Sequence, residues 1–111
     1  PRTYIRRVID STWEPLIPTP PFPEYPSGHS TQSSAAAQAI TALLGAIPFD
    51  DSTSMMIGHD VRRFDNFMQA AEEAGMSRVY GGIHFPIGNT AGRSLGQCIG
   101  DKVIARYRAS E

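Results

Sequence analysis

The sequence predicts an all-α domain, a partial helical bundle of about four helices preceded by a proline-rich loop. Apolar residues recur at helical spacing, small residues form faces that permit close helix contact, and no segment of useful length alternates between apolar and polar residues. With 111 residues, 41% of them hydrophobic, the chain can build one core. We therefore expect residues 1–111 to form a single domain.

Residues 11–26 predict the loop, because they contain six prolines. Proline lacks an N–H donor and restricts the residue before it, which excludes a helix or an inner strand. Large apolar side chains are interleaved with these prolines: Trp13, Leu16, Ile17, Phe22 and Tyr25. A solvated linker rarely carries so many, so we expect the loop to pack across the domain and to hold residues 27–29 in a fixed place.

Two helices are predicted in the middle of the chain. Residues 28–46 have a small-residue face and a capping residue, Ser27, which favours a central helix. After a loop over residues 49–59, a second helix is expected near residues 60–75 and ends at Gly75. Its apolar face consists of Val61, Phe64, Phe67, Met68 and Ala71.

Two further helices are predicted towards the C-terminus. Ser77 is expected to cap a short helix that reaches about His84, and Asn89 or Thr90 to begin a last helix that ends near Tyr107. The last helix carries apolar residues at every fourth position and a stripe of small residues beside them: Leu95, Ile99, Val103 and Tyr107, with Gly92, Gly96 and Gly100. Cys98 is expected to be a small core residue of this helix rather than a nucleophile.

Composition excludes several classes of function. The 10 basic and 11 acidic residues give a formal net charge of −1, so no broad attraction to nucleic acid or anionic membranes is expected. No apolar run approaches the ~20 residues of a transmembrane helix. No signal peptide is expected within the given sequence, because no charged segment followed by an apolar one begins it. The single cysteine excludes an intrachain disulfide. The histidines lack zinc-binding spacing, and neither a zinc nor a nucleotide cofactor is expected.

Two segments carry groups suited to an oxyanion. Ser27 and Gly28 offer a hydroxyl and an unshielded backbone N–H at a helix start, where anions bind readily. Arg78 offers a planar pair of donors, and in the predicted first turn of its helix it would oppose the dipole, which favours a functional role. His84 follows a bare Gly-Gly-Ile approach, and His29 supplies a second imidazole.

Each of these residues also has a structural interpretation. Ser27 could be only a helix cap and His29 a surface histidine. Arg78 could form a surface ion pair with Glu72 or Glu73. A core histidine bonded to a carbonyl is the usual explanation of a residue such as His84, and these alternatives stay open at the level of the residues.

The two segments, Pro-Ser-Gly-His at 26–29 and Ser-Arg-x5-His at 77–84, resemble signature motifs of a known superfamily. They look like the second and third motifs of the type 2 phosphatidic acid phosphatases (PAP2) and vanadium-dependent haloperoxidases. The wider stretches 20–30 and 80–86 are similar to the bacterial haloperoxidase-like branch, and the similarity covers nearly the whole chain. The resemblance implies a helical bundle with the site at its core.

The resemblance also implies a role for each residue. Ser27, Gly28 and Arg78 would bind the oxygens of phosphate or vanadate. His84 would be the phosphoryl-accepting nucleophile or the nitrogen ligand of vanadate, and His29 the acid–base residue opposite it. Vanadate is thus the implied cofactor, and a small oxyanion or phosphate ester the implied partner. The family would allow a periplasmic or secreted location.

The chain departs from the family pattern at two places. The first motif is a lysine followed six residues later by Arg-Pro, and Pro1 stands at its proline, so we interpret the chain as the C-terminal portion of a family member. The third motif usually has an aspartate four residues after its histidine, which orients the imidazole; that position is Gly88, followed by Asn89. The lysine and the arginine of the first motif are therefore missing from this sequence. Because each charge-assisted hydrogen bond contributes about 1.5–3 kcal/mol, the loss of two such cations predicts weak anion binding.

The sequence leaves the chemistry open. An acid phosphatase would transfer a phosphoryl group to His84 while His29 protonates the leaving group. A haloperoxidase would bind vanadate and oxidise halide with peroxide. The alternative is a catalytically inactive helical domain that mainly self-associates. A partial bundle exposes apolar helix faces, so a homo-oligomer, most simply a two-fold dimer, is expected.

Overall fold

The computed structural model describes residues 1–110, which form four α-helices and one small antiparallel sheet. The helices are α1 (Arg2–Val8), α2 (Gly28–Leu44), α3 (Phe67–Tyr80) and α4 (Pro86–Arg108). Strands β1 (Phe49–Asp51) and β2 (Arg62–Phe64) form a hairpin around a 3₁₀ turn at Met55–Ile57. The prediction of an all-α helical bundle is confirmed. No helix in the described part of the chain is long and apolar enough to cross a bilayer.

The predicted second helix is wrong at its start. Val61 precedes β2 and Phe64 ends it, so neither lies on a helix. The Phe64 side chain is buried and stacks on Phe49 across the hairpin, with ring centroids 5.4 Å apart. Helix α3 begins after Asn66, whose side-chain oxygen accepts a hydrogen bond from the backbone N–H three residues later. Asparagine is among the best N-cap residues, which explains why the helix starts there.

The predicted second helix is also wrong at its end, because α3 continues through Gly75 to Tyr80. Gly75 is buried, and a Cβ atom added there would lie 2.8 Å from Ser30 Oγ on α2. This glycine permits close packing of α3 on α2 instead of ending the helix. Ser77 therefore lies inside α3, where its hydroxyl donates to a backbone carbonyl, and the predicted short helix at 77–84 is the end of α3 followed by a turn.

Helices α2 and α4 run parallel and in close contact through the predicted glycine stripe. A Cβ atom added at Gly92 would lie 2.5 Å from Ser27 O, and one added at Gly100 would lie 2.6 Å from Gln38 Cβ. Later residues of α4 thus meet later residues of α2. Helix α3 runs antiparallel to both, so the site end of the bundle contains the N-termini of α2 and α4 and the C-terminus of α3.

Helix α4 begins earlier than predicted, at Pro86 instead of Asn89 or Thr90. Proline suits a first helical position because its missing N–H has no intrahelical partner there. The predicted core position of Cys98 is wrong, since this residue is exposed. Close contact through glycine places only a narrow stripe of α4 against α2, and Cys98 lies outside it.

Before the proline-rich loop lies α1, a helix that the sequence analysis did not predict. Arg2 and Arg6 of α1 pair with Glu14 in the loop, and the Tyr4 ring meets Phe85 edge-on at 6.2 Å. The loop itself packs on the turn between α3 and α4, as expected. A Cβ atom added at Gly82 in that turn would lie 2.9 Å from both Trp13 and Pro15.

Candidate functional site

The spacing between Arg78 and His84 has a structural cause in the turn after α3. Gly82 adopts a left-handed conformation, with φ of 75°. The N–H of Ile83 donates to Arg78 O at 2.9 Å, and the N–H of Gly82 donates to Val79 O at 3.0 Å. This pair of bonds defines a Schellman motif, the commonest glycine-based helix end. The N–H of His84 also reaches Arg78 O, at 3.3 Å, so the turn brings the histidine back beside the arginine.

Arg78 lies in the last turn of α3, which corrects the prediction of a first-turn position. A cation there complements the helix dipole, so the dipole argument for a functional role fails. The alternative ion pairs are also not formed, because Glu72 pairs with Arg93 at 2.6 Å and Glu73 pairs with Arg62. Arg78 Nε is buried and has no hydrogen-bond partner among the described residues.

The His84 ring has one bonded nitrogen and one free nitrogen. Nδ1 lies 2.5 Å from the backbone oxygen of Glu24. A carbonyl can only accept, so in the neutral ring Nδ1 carries the proton and Nε2 keeps its lone pair. Nε2 is buried, with no hydrogen-bond partner in the described part of the chain. The ring is therefore both a carbonyl-bound core histidine, as the structural interpretation expected, and a fixed imidazole with an available nitrogen.

Ser27 lies where the proline-rich loop enters α2. Its N–H donates to Gly88 O at 3.0 Å, which fastens the loop to the start of α4. Its side-chain oxygen accepts from the N–H of Ser30 at 3.3 Å, so the predicted N-cap is confirmed. As an acceptor in the cap, the hydroxyl keeps its own proton for donation to a ligand.

Gly28 is the first residue of α2, and open space surrounds its Cα on the side where a Cβ would project. First-turn N–H groups have no intrahelical acceptor. The unshielded backbone here can accept a close oxyanion.

His29 is exposed, yet its environment lowers its pKa below the ordinary value of 6.5. The largest cause of the lowered pKa is partial desolvation of the ring, followed by electrostatic repulsion from Arg78 and then from the imidazole of His84. Since these two residues act on His29 from the other segment, the structure brings His29, Arg78 and His84 into one electrostatic environment. A lowered pKa keeps His29 neutral, and so able to accept a proton, over a wider pH range.

Comparison with known proteins decides the family. The chain matches the model of the VCPO second helical-bundle domain over residues 2–110. The chain belongs to this family. A solved bacterial vanadium-dependent iodoperoxidase is 44% identical, with a TM-score of 0.86 over 93% of this chain. Holo and apo structures of a bacterial vanadium-dependent chloroperoxidase share the fold, with TM-scores of 0.68 and 0.67 at 21% identity over 86% of the chain.

The matched structures are longer than this VCPO-type domain. The chain spans 25% of the iodoperoxidase and 23% and 24% of the holo and apo chloroperoxidases. No curated protein matches the chain significantly. The resemblance to the bacterial vanadium haloperoxidase-like branch, inferred from the Pro-Ser-Gly-His and Ser-Arg-x5-His segments, is confirmed.

Sequence reasoning misses two residues at the candidate site. Asn89 is buried, accepts from Ser30 Oγ at 3.1 Å and donates to Gly75 O at 2.5 Å, so one amide joins three helices. Glu24 lies beside His84, and its Oε1 accepts from the N–H of Phe85 at 2.8 Å. A glycine where the family has an aspartate was the available signal for Glu24, since a lost carboxylate invites a search for a substitute.

Proposed function

We propose that this domain holds vanadate in a haloperoxidase site, with His84 as the nitrogen ligand and Ser27, Gly28 and Arg78 as donors to the oxygens. The observation that carries the proposal is a pair of buried polar atoms, His84 Nε2 and Arg78 Nε, that have no hydrogen-bond partner within residues 1–110. Buried polar groups are almost always hydrogen-bonded, and an orphaned one requires an explanation. Both atoms belong to the segment at 77–84, and the same two residues, Arg78 and His84, act on His29 of the other segment.

The chemistry of these groups fits vanadate. A guanidinium N–H, a hydroxyl and first-turn N–H groups are all donors, which suit the oxygens of an oxyanion. The Nε2 lone pair is the one acceptor, which suits a bond to the metal centre. Its position is fixed by the Nδ1 bond to Glu24 O, as is usual for metal-binding histidines.

When bound, vanadate supplies a Lewis-acidic centre that activates peroxide for oxidation of a halide. The residues of this chain would position the vanadate oxygens and transfer protons. Arg78 and the start of α2 would orient the oxygens of bound vanadate, while a ring nitrogen of His29 would accept a proton from peroxide and return it to the departing peroxide oxygen. The Phe22 ring stacks on His84, with centroids 6.1 Å apart, and limits water on that side of the imidazole.

Iodide is the halide that we propose as substrate. The support is the 44% identity to a bacterial enzyme described as an iodoperoxidase. Iodide is also the most easily oxidised of the common halides, so a site with modest oxidising power accepts it first.

The test is equilibrium binding of orthovanadate, together with assays of iodide and bromide oxidation by hydrogen peroxide. Both the 111-residue chain and the natural full-length polypeptide that carries this sequence are measured. We expect His84→Ala and Arg78→Ala each to weaken vanadate binding at least about tenfold, since each removes a strong contact. The matched control is Arg93→Ala, which removes an exposed arginine that pairs with Glu72.

Three outcomes contradict the proposal. Unchanged vanadate affinity in His84→Ala excludes this residue as the ligand. Phosphate-ester hydrolysis through a His84 phosphoenzyme, without halide oxidation, assigns the site to phosphoryl transfer. Folded protein that binds neither anion leaves the assembly function as the better account.

A further inference from the structure

We infer that Glu24 replaces the orienting aspartate that the third motif lacks in this chain, and that it is a positioning residue for His84. The inference rests on the proposed function, because it concerns the same imidazole. The contacts that support it are independent of those that support the proposed function, because they involve the proline-rich loop and the start of α4 rather than the free Nε2 of His84.

The Glu24 carboxylate occupies the space in front of Gly88. A Cβ atom added at Gly88 would lie 2.8 Å from Glu24 Oε1 and 3.4 Å from Glu24 O. The side chain of an aspartate at this position would therefore enter the volume that Glu24 fills. Glycine at 88 leaves that volume free for a carboxylate that arrives from the proline-rich loop.

Glu24 makes the contacts that a carboxylate at position 88 would make from within the helix. Phe85 is the N-cap of α4 and Gly88 is the third helical residue, N3. In a capping box the side chain at N3 accepts from the N–H of the N-cap. Here Glu24 Oε1 accepts from the Phe85 N–H at 2.8 Å, so the acidic cap is supplied by another segment.

The same contact aligns the imidazole. By binding the Phe85 N–H, the carboxylate holds residue 24 against the start of α4, so that Glu24 O reaches His84 Nδ1 at 2.5 Å. Glu24 Oε1 itself lies 3.7 Å from Nδ1. The carbonyl selects the tautomer with a free Nε2, while the carboxylate fixes the carbonyl and adds a negative charge beside the ring.

The test moves the carboxylate from position 24 to position 88 in the natural full-length polypeptide. The variants are Glu24→Ala, Glu24→Gln, Gly88→Asp and the double variant Glu24→Ala/Gly88→Asp, with Glu72→Ala as a control for loss of an exposed carboxylate. The readouts are hydrogen exchange of the Phe85 amide, the His84 tautomer from ¹⁵N chemical shifts, and orthovanadate affinity.

Glu24→Ala is expected to speed Phe85 exchange, to reduce the share of the Nδ1–H tautomer and to weaken vanadate binding about tenfold, the usual effect of losing a partner of a metal-binding histidine. Glu24→Gln keeps an acceptor for Phe85, so exchange stays slow while affinity falls through loss of the charge. Gly88→Asp weakens vanadate binding in the native background, where it collides with Glu24, and strengthens it in the Glu24→Ala background.

The decisive result is that Gly88→Asp lowers vanadate affinity in one background and raises it in the other. A purely structural role of Glu24 would not produce this reversal. Equal effects of Gly88→Asp in both backgrounds overturn the inference, as does unchanged Phe85 exchange and tautomer in Glu24→Ala. If the native protein binds no vanadate, the proposed function fails. Phe85 exchange and the His84 tautomer then still decide the role of Glu24.

Discussion

The two ends of the bundle are built in opposite ways. At the site end, Ser27 and His84 are 0% and 2% exposed, and backbone hydrogen bonds and glycine contacts hold them in place. At the far end, Leu43 and Leu44 of α2 are 63% and 61% exposed, and Val103 of α4 is 53% exposed. Polar groups are thus buried and apolar groups exposed, the reverse of the usual distribution.

This contrast shows that contacts within the chain define the structure of the site end, whereas the far end has apolar surface available for contacts with other molecules. The buried apolar residues of the described part are few, and two of the four are alanines: Ala37, Phe64, Ala71 and Ile83. Close approach of backbones through glycine, more than large side chains, joins the helices. The site end is therefore geometrically defined, whereas the far end presents a wide apolar surface.

The largest expected effect is loss of stability when a side chain is introduced at Gly92, where α4 contacts α2 at the site end. Gly92→Ala places a Cβ atom 2.5 Å from Ser27 O, a backbone atom that cannot move away without shifting α2. Overpacking of this kind costs about 1–3 kcal/mol or more. Chemical denaturation monitored by circular dichroism measures it, with Ser94→Ala on the exposed face of α4 as the control. Equal stability of the two variants would mean that α2 and α4 are not closely packed.

A smaller effect is expected at the far end, where we propose that the apolar surface pairs two copies of the 111-residue chain. Leu43→Glu and Val103→Glu should weaken self-association at least about tenfold each while leaving helical content unchanged, because burying such a side chain is worth about 1.5–3 kcal/mol. Light scattering at micromolar concentration measures the association. A stable 12.1 kDa monomer of the unaltered chain would contradict this prediction.

The apolar face proposed from sequence for this pairing needs one correction. Phe64 and Ala71 are buried within the domain, so they are not available to a partner. The apolar residues of α4 named with them remain exposed: Leu95, Ile99 and Val103.

The smallest expected effect is electrostatic and belongs to the site end alone. The folded-state pKa of His29 lies below 6.5, so between these two values the unfolded chain binds more protons than the folded one. His29 therefore reduces stability as the pH falls through this window and has no such effect above it. Arg78→Ala should raise the pKa of His29 towards 6.5, whereas Arg93→Ala should not. NMR titration of the His29 ring protons measures this pKa in each variant. An unchanged pKa of His29 in Arg78→Ala would contradict the claim that the two motifs share one site.

Local signals were sufficient for some parts of the molecule. The Ser27 cap and the glycine stripe of α4 depend on neighbours in the chain, so the sequence predicts them. The function of Gly75 depends on Ser30, a distant residue that packs against it. A glycine that ends a helix and one that permits helix packing look alike in sequence, which explains the error in α3.

The sequence predicts a set of candidate site residues but not their geometry. The motifs predict roles for Ser27, Arg78 and His84, which stay predictions, and the Schellman turn explains the spacing of the last two. The role of Glu24 could not be read in advance, because it depends on a loop of prolines folding back onto the start of α4. Long-range contacts of this kind have no local periodicity.

The central claim is that His84 Nε2 and Arg78 Nε serve one oxyanion. Titration of the ¹⁵N-labelled full-length polypeptide with orthovanadate, followed at both nitrogens by NMR, tests it most directly. We predict that both signals shift together with a single midpoint, and that the His84 shift is lost in Arg78→Ala at the same vanadate concentration. Signals that stay unchanged, or that shift with separate midpoints, would contradict the account.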